Sequence, residues 1–328
     1  MFSNLRPGVY ARYDISGAGV PKGGRAAALV LRTGDGIQPG LHEISRHRDI
    51  PVFAHPAANG CVRLLLEGGA GKVYLLFCDE GADIFAEIKS HDDIYTIICD
   101  EAIQPAPLFA YLSAASAAQR ECIAFIARDG AEEAAAAAEK FSHRRVCLCA
   151  PAALAEGEDH PHSLYTACAF AAAIISAASP LTCFSGMELP LLKSVKPLTE
   201  GEIQRLLSLG VCLFEEVGGV VRLIRAATIS GDKSTRSLNT LLITDHVLKR
   251  IRARLRRMLT SGGISPQSIR DQVVVELAGM TDEGIITGFE PPFCRTDRED
   301  PTLCLIDIAF SAAHLIDRIY LTLSVNSA

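Results

Sequence analysis

Four short apolar runs, KVYLLFC at 72–78, YTIIC at 95–99, ECIAFIA at 121–127 and RVCLCA at 145–150, alternate with stretches of helical periodicity at 83–90, 107–119, 131–141 and 163–178. An apolar run without polar alternation is the pattern of a strand buried on both faces, and such strands occur in parallel sheets covered by helices. The intervening helices supply the crossovers that parallel pairing requires. The middle of the chain therefore predicts an α/β fold, a small parallel sheet with flanking helices.

After Pro180 the pattern changes. Thr199 reads as a helix N-cap with Glu202 three residues on, a capping box, and Gly210 as the residue that ends the helix. Apolar runs at 211–217 and 220–228 flank Gly218-Gly219, the signature of a two-residue hairpin. Helices are expected at 240–259 and from Ser265 or Pro266 to Gly279, then strands at 302–310 and 316–325. This mixed α+β order divides the chain into an N-terminal arm and tether (1–25), an α/β domain (26–184), an α+β domain (185–313) and a C-terminal arm strand (314–328).

Both ends read as strands. Val9, Ala11, Tyr13 and Ile15 alternate with Tyr10, Arg12 and Asp14, and Ile319, Leu321, Leu323 and Val325 alternate with Tyr320, Thr322 and Ser324. A Gly- and Pro-containing tether at 17–24 separates the first from the body. Two readings are open: edge strands that pair within their own molecule, or arms that add to the sheet of a neighbouring copy.

Composition narrows the function classes. With 328 residues, 49% of them hydrophobic and 21% charged, the chain is too apolar for a disordered protein, and it is long enough for a sizeable core. A mean hydropathy of +0.22 is oily for a soluble monomer. The net charge of −6 argues against a surface built to grip nucleic acid. The 11 cysteines, an odd number without a C-x-x-C pair, read as small buried residues of a reduced protein; Cys147 and Cys149 share one face of their strand. The uncharged stretch 160–187 contains an Ala-rich helix that is short of the ~20 apolar residues a membrane span needs. The first residues lack the basic start and apolar run of a signal peptide, so folding in the cytoplasm is expected.

Residues 245–259 set Lys249, Arg250, Arg252, Arg254, Arg256 and Arg257 around an apolar stripe of Val247, Ile251, Leu255 and Met258. A solvated face, a nucleic-acid groove and an electrostatic contact with an acidic protein all produce such a row. The absence of aromatics from the helix speaks against the second. For an enzyme, Asp79 and Asp100 follow the first two runs, where such sheets bind ligands. The turn after the first run, C-D-E-G-A-D, carries no phosphate-binding glycine motif. His160 and His162 lack an obvious third metal ligand, and Ser185-Gly186 lacks the flanking glycine of a nucleophile elbow. No catalytic, cofactor-binding or metal-ligating residue is assigned, and no cofactor is expected.

The order of these features resembles the contractile tail sheath proteins of bacteriophages and of phage-derived bacteriocins and injection particles. The resemblance lies in RPGVY at 6–10, the Ala-rich helix followed by SPLT at 179–182, and PLTEGE at 197–202 running into LGV at 209–211. It continues in the hairpin with Arg222, whose Ala226-Ala227-Thr228 is a partial match to the family's Thr-rich run, then through 239–254 and 269–284 with Gly284-Ile285-Ile286. It implies a structural polymer of stacked six-fold rings around a tail tube, with no enzymatic activity. Its partners would be further copies of itself, the tail tube protein, and baseplate and terminator proteins, without nucleic acid or membrane insertion. Assembly in the bacterial cytoplasm into a virion or tail-like particle is implied too. The resemblance favours inter-subunit strand exchange by Val9, Tyr10, Ala11, Tyr13, Ile15, Ile319, Leu321, Leu323 and Val325, and a tube contact through Lys249, Arg252 and Arg256. The alternatives are the large sheath subunit of a type VI secretion system and a cytosolic flavodoxin-like enzyme.

Overall fold

The computed structural model describes residues 25–34, 37–53, 55–79, 84–232, 235–259, 265–300 and 302–313. The first half runs β1 (Ala26–Arg32), β2 (Gly40–Ile44), α1 (Ala58–Glu67), β3 (Lys72–Cys78), β4 (Ile94–Cys99), α2 (Pro105–Ala117), β5 (Ile123–Ala127), α3 (Ala131–Lys140), β6 (Val146–Ala150), β7 (Ala153–Ala155) and α4 (Ser163–Ser176). The second half runs β8 (Leu192–Val195), α5 (Glu200–Leu209), β9 (Cys212–Val217), β10 (Val220–Leu223), α6 (Leu238–Leu259), α7 (Pro266–Asp282), β11 (Ile286–Phe289), β12 (Phe293–Thr296), β13 (Cys304–Asp307) and β14 (Phe310–Ala312).

Eight strands form one sheet in the order β10-β9-β6-β5-β4-β1-β3-β2. Its interior is parallel, and an antiparallel strand closes each edge, β2 on β3 and β10 on β9. Successive residues of β1 feed two cores: Ala27, Leu29 and Leu31 one, Ala26, Ala28 and Val30 the other. Helices α1, α4, α6 and α7 contribute to the first core, and α2, α3 and α5 to the second. The expected class, a largely parallel sheet flanked by helices with β structure at the C-terminal end, is what the chain forms.

The Ala-rich α4 is buried on nearly all sides, as its lack of charge predicted. It lies close against α1 because that helix ends in Gly68, where a Cβ would stand 2.4 Å from the Cβ of Ala172. Among the described residues no helix is long and apolar enough to cross a membrane. The capping box of Thr199 and Glu202 is formed, and Gly210 ends α5 in the left-handed region at φ 84°. Gly218 and Gly219, at φ 63° and 81°, make the tight turn of the β9–β10 hairpin, a conformation open to glycine at both positions.

Three expectations need correction. The break near residue 185 does not interrupt the sheet, because β9 pairs parallel with β6. Residues 84–90 form no α-helix; Glu87–Ser90 is a 3₁₀ turn that buries Phe85 and Ile88, whose three-residue spacing suits that tighter geometry. The single strand expected at 302–310 is two, β13 paired with β12 and β14 with β11. The strand expected at 316–325 lies outside the described residues, as do both terminal arms and the tether.

Candidate assembly interface

Helix α6 carries the basic residues that the sequence singled out. Its apolar stripe of Val247, Ile251 and Leu255 is buried in the first core, and this fixes where the flanking charges go. One flank meets the edge of the sheet from which the parallel strands start. There Asp245 receives two hydrogen bonds from Arg145, the residue before β6, with Nη1 to Oδ2 at 2.9 Å and Nη2 to Oδ1. Two turns on, Arg252 donates to Glu121, which precedes β5; their side chains are 5% and 0% exposed. Lys249 stands 3.9 Å from the second oxygen of Glu121 and 5.3 Å from the ring centre of Tyr95. Arg256, exposed, donates to the side chain of Gln119.

The other flank faces α7. Arg250 holds Glu276 at 3.0 Å and Glu283 at 2.7 Å, and Arg254 donates to Gln272 at 3.0 Å. Between the helices Arg250, Ala253, Arg254, Arg257 and Glu276 line a shallow groove of about 260 Å³.

Burial alone would raise the Asp245 carboxyl, but the charge and hydrogen bonds of Arg145, with Lys249 and Arg252 behind them, hold it below the ordinary carboxylate range. Burial pushes the Tyr95 phenol upward, and the negative Asp245 adds to that. Asp245 is therefore an ionised carboxylate at neutral pH.

This placement changes the reading of the three expected tube contacts. Arg252 is spent inside the chain: a guanidinium locked on Glu121 and 5% exposed is not presented to an outside surface. Lys249 retains 20% of its side-chain exposure, and Arg256 lies on the surface beside Arg257 at the end of the helix. The sequence reading passed over Arg25, Tyr95, Glu121, Arg145 and Asp245. A signal was present, since Arg25, Glu121 and Arg145 each stand within two residues before a buried strand, where a charge has no place unless something pairs with it.

The described chain also offers strand edges. β2 is the outermost strand at its side of the eight-stranded sheet, whereas β10 is followed there by the segment from Gly186 to Leu189, which bonds to Val221 and Leu223. Near the C-terminal end, β11–β14 and β12–β13 are two separate two-stranded sheets. Both are anchored to the first core, through Ile286, Phe289 and Phe310 in one and Ile306 in the other, the packing that a two-stranded sheet needs to be stable in water. Phe293 on β12 is 59% exposed above a groove of about 440 Å³ against the start of α7.

The residues weighed for catalysis are engaged locally. Asp79 accepts from the Thr33 hydroxyl, Asp100 from the Ala102 amide at 3.4 Å, and Ser185 Oγ from the Ala226 amide at 3.2 Å. His162 caps α4, its Nδ1 accepting from the Leu164 amide at 3.2 Å. Neither groove described above lies at the strand ends that carry Asp79 and Asp100. Among the described residues no group of three or more His, Cys, Asp or Glu is arranged to hold a metal. All 11 cysteines are free, Cys147 and Cys149 fully buried beside Cys212.

No protein-family model matches the chain, and no curated protein matches it by sequence. Solved structures do. The helical sheath of the anti-feeding prophage in its contracted state superposes with a TM-score of 0.70 at 14% identity, covering 99% of this chain and 100% of that one. The fold is that of a contractile sheath protein. The sheath complex of PVC, an extracellular contractile injection system, matches with a TM-score of 0.69 at 14% identity over 99% of both chains. A sheath tail protein from Desulfitobacterium hafniense matches at 0.60 and 10% identity, covering 93% of this chain and 100% of that one.

Proposed function

We propose that the chain is the structural subunit of a contractile sheath: it polymerises as stacked six-fold rings around a tube and contracts to drive that tube through a target envelope. The observation that carries this reading is the match to a contracted sheath, which covers 99% of this chain and 100% of the other. The architecture suits the work. One sheet with two continuous cores makes a stiff body, and contraction then proceeds by rotation of such bodies relative to one another while their connections persist. Free energy resides in poorer subunit contacts before firing, so the subunit itself is not an enzyme and needs no cofactor.

The terminal arms are the connections in this reading. Val9, Tyr10, Ala11, Tyr13 and Ile15, with Ile319, Leu321, Leu323 and Val325, add strands to neighbouring copies, and the two-stranded sheets at the C-terminal end are suitable acceptors. Baseplate and terminator proteins close the ends of the polymer. The tube is met by the exposed end of α6, through Arg256 with Arg257, and by Lys249 at its margin. Assembly takes place in the bacterial cytoplasm, and the product is a virion or a tail-like particle. Deleting residues 1–16 tests the arms: polymerisation is lost while the circular dichroism spectrum stays that of the full chain. Polymers of normal length from the deleted chain would remove the strand-exchange reading.

A further inference from the structure

We propose that Arg25, Tyr95 and Lys249 form a mechanical coupling that ties the root of the N-terminal arm to helix α6, and they are positioning residues for the sheath function. The inference rests on the sheath reading for the force it transmits, although the contacts themselves are independent of it. Arg25 is the residue at which the tether enters β1. Its guanidinium donates to the carbonyls of Ile174 at 3.0 Å, Ile175 at 2.9 Å and Ala177 at 3.4 Å, the unsatisfied acceptors at the end of α4. Its own carbonyl accepts from the Gly71 amide at 3.1 Å. The arm root is thus clamped to α4 and the turn before β3, not merely continuous with a strand.

The same guanidinium lies 4.8 Å from the ring centre of Tyr95, and the ammonium of Lys249 lies 5.3 Å from that ring. One aromatic ring therefore holds two cations, one from the arm root and one from α6. The phenol oxygen makes no hydrogen bond among the described residues although the side chain is 5% exposed. A buried tyrosine ordinarily places its hydroxyl on a partner, so here the ring faces carry the interaction. Lys249 continues the chain of contacts to Glu121, which Arg252 shares. A pull on the residues before Arg25 thereby reaches the helix that ends in Arg256 and Arg257, and arm and tube-facing surface move together.

Hydrogen exchange on the full chain tests this, with Arg25→Gln, Tyr95→Leu and Tyr95→Phe compared with the parent. Loss of a cation–ring contact predicts exchange at 245–252 on the order of three- to tenfold faster in Arg25→Gln and in Tyr95→Leu, with Tyr95→Phe unchanged. A purely local role for Arg25 as a helix cap raises exchange only in the last turn of α4 and in β1. Unchanged α6 exchange in Arg25→Gln overturns the coupling, as does faster exchange in Tyr95→Phe equal to that in Tyr95→Leu. The β9–β10 hairpin serves as the control, since an equal rise there in Arg25→Gln marks general destabilisation and also overturns it. Failure of the parent chain to polymerise would strike the sheath reading alone and leave the exchange comparison standing.

Discussion

Arg145 and Asp245 meet where α6 joins the sheet, in a two-bond pair whose side chains are 1% and 0% exposed. Removing one partner strips the other, buried charge of this two-bond pair. Asp245→Ala is therefore expected to cost roughly 3–5 kcal/mol of folding stability. The double change Arg145→Met with Asp245→Leu, which removes both charges and keeps the volume, is expected to cost much less. Urea unfolding of the two variants measures the difference. Equal losses would mean that packing, and not the pairing of charges, sets the contribution of this site.

The same region gives stability an acid limb. Asp245 is held below its ordinary value of 3.8, so its contribution is complete above that pH and is lost as the pH falls through the lower folded value. His143 acts earlier. Burial and the neighbouring Arg145 and Arg144 lower it from 6.5 to about 4, so between those two values the unfolded chain takes up a proton that the folded chain refuses. Stability should decline as the pH falls from 6.5 toward 4, and His143→Gln should flatten that part of the profile. A parent profile without slope in this window would contradict the placement of His143 against Phe109, whose ring centre lies 5.0 Å away.

The sheet was legible in the sequence because its strands are continuous apolar runs, a pattern that depends only on local residues. The cap of Thr199 and Glu202 and the Gly218-Gly219 turn were legible for the same reason. β1 escaped notice because AAALVLR, small and Ala-rich, follows directly on the tether, yet it is the strand between β3 and β4. The continuation of the sheet past residue 185 was hidden because β9 reads alike whether it founds a sheet or joins one. The role of α6 was misread for a related reason. A basic row at helical spacing looks the same exposed or buried, and the carboxylate that decides between them, Glu121, lies 131 residues from Arg252.

Helix spacing offers a test of packing. A methyl group at Gly68 meets Ala172 at 2.4 Å and the Leu64 carbonyl at 2.9 Å, and neither is a flexible side-chain end. Gly68→Ala is expected to lower stability by about 1–3 kcal/mol, the usual cost of overpacking. Thermal unfolding checks this, and a neutral effect would show that α1 and α4 separate more readily than their contact suggests.

On α6, basic residues that look equivalent in sequence differ in burial, Arg252 enclosed and Arg256 and Arg257 exposed. Under the proposed tube contact, Arg256→Glu with Arg257→Glu should leave the fold intact and weaken co-assembly with the tube, the more so as salt is lowered, because charge pairs are screened less at low salt. Arg252→Glu should instead destabilise the chain, by facing Glu121 with a second buried carboxylate. Sedimentation of tube with each variant, alongside its unfolding curve, distinguishes the two outcomes. A stable Arg252→Glu chain that has lost only its tube would restore Arg252 to the tube-contact surface.

The central claim is that this chain is a link in a polymer. Negative-stain images of the purified full-length protein over a concentration series measure that property directly. Long striated tubes, with cogwheel-shaped views down the axis, are the predicted result. Discrete small oligomers at every concentration would contradict it.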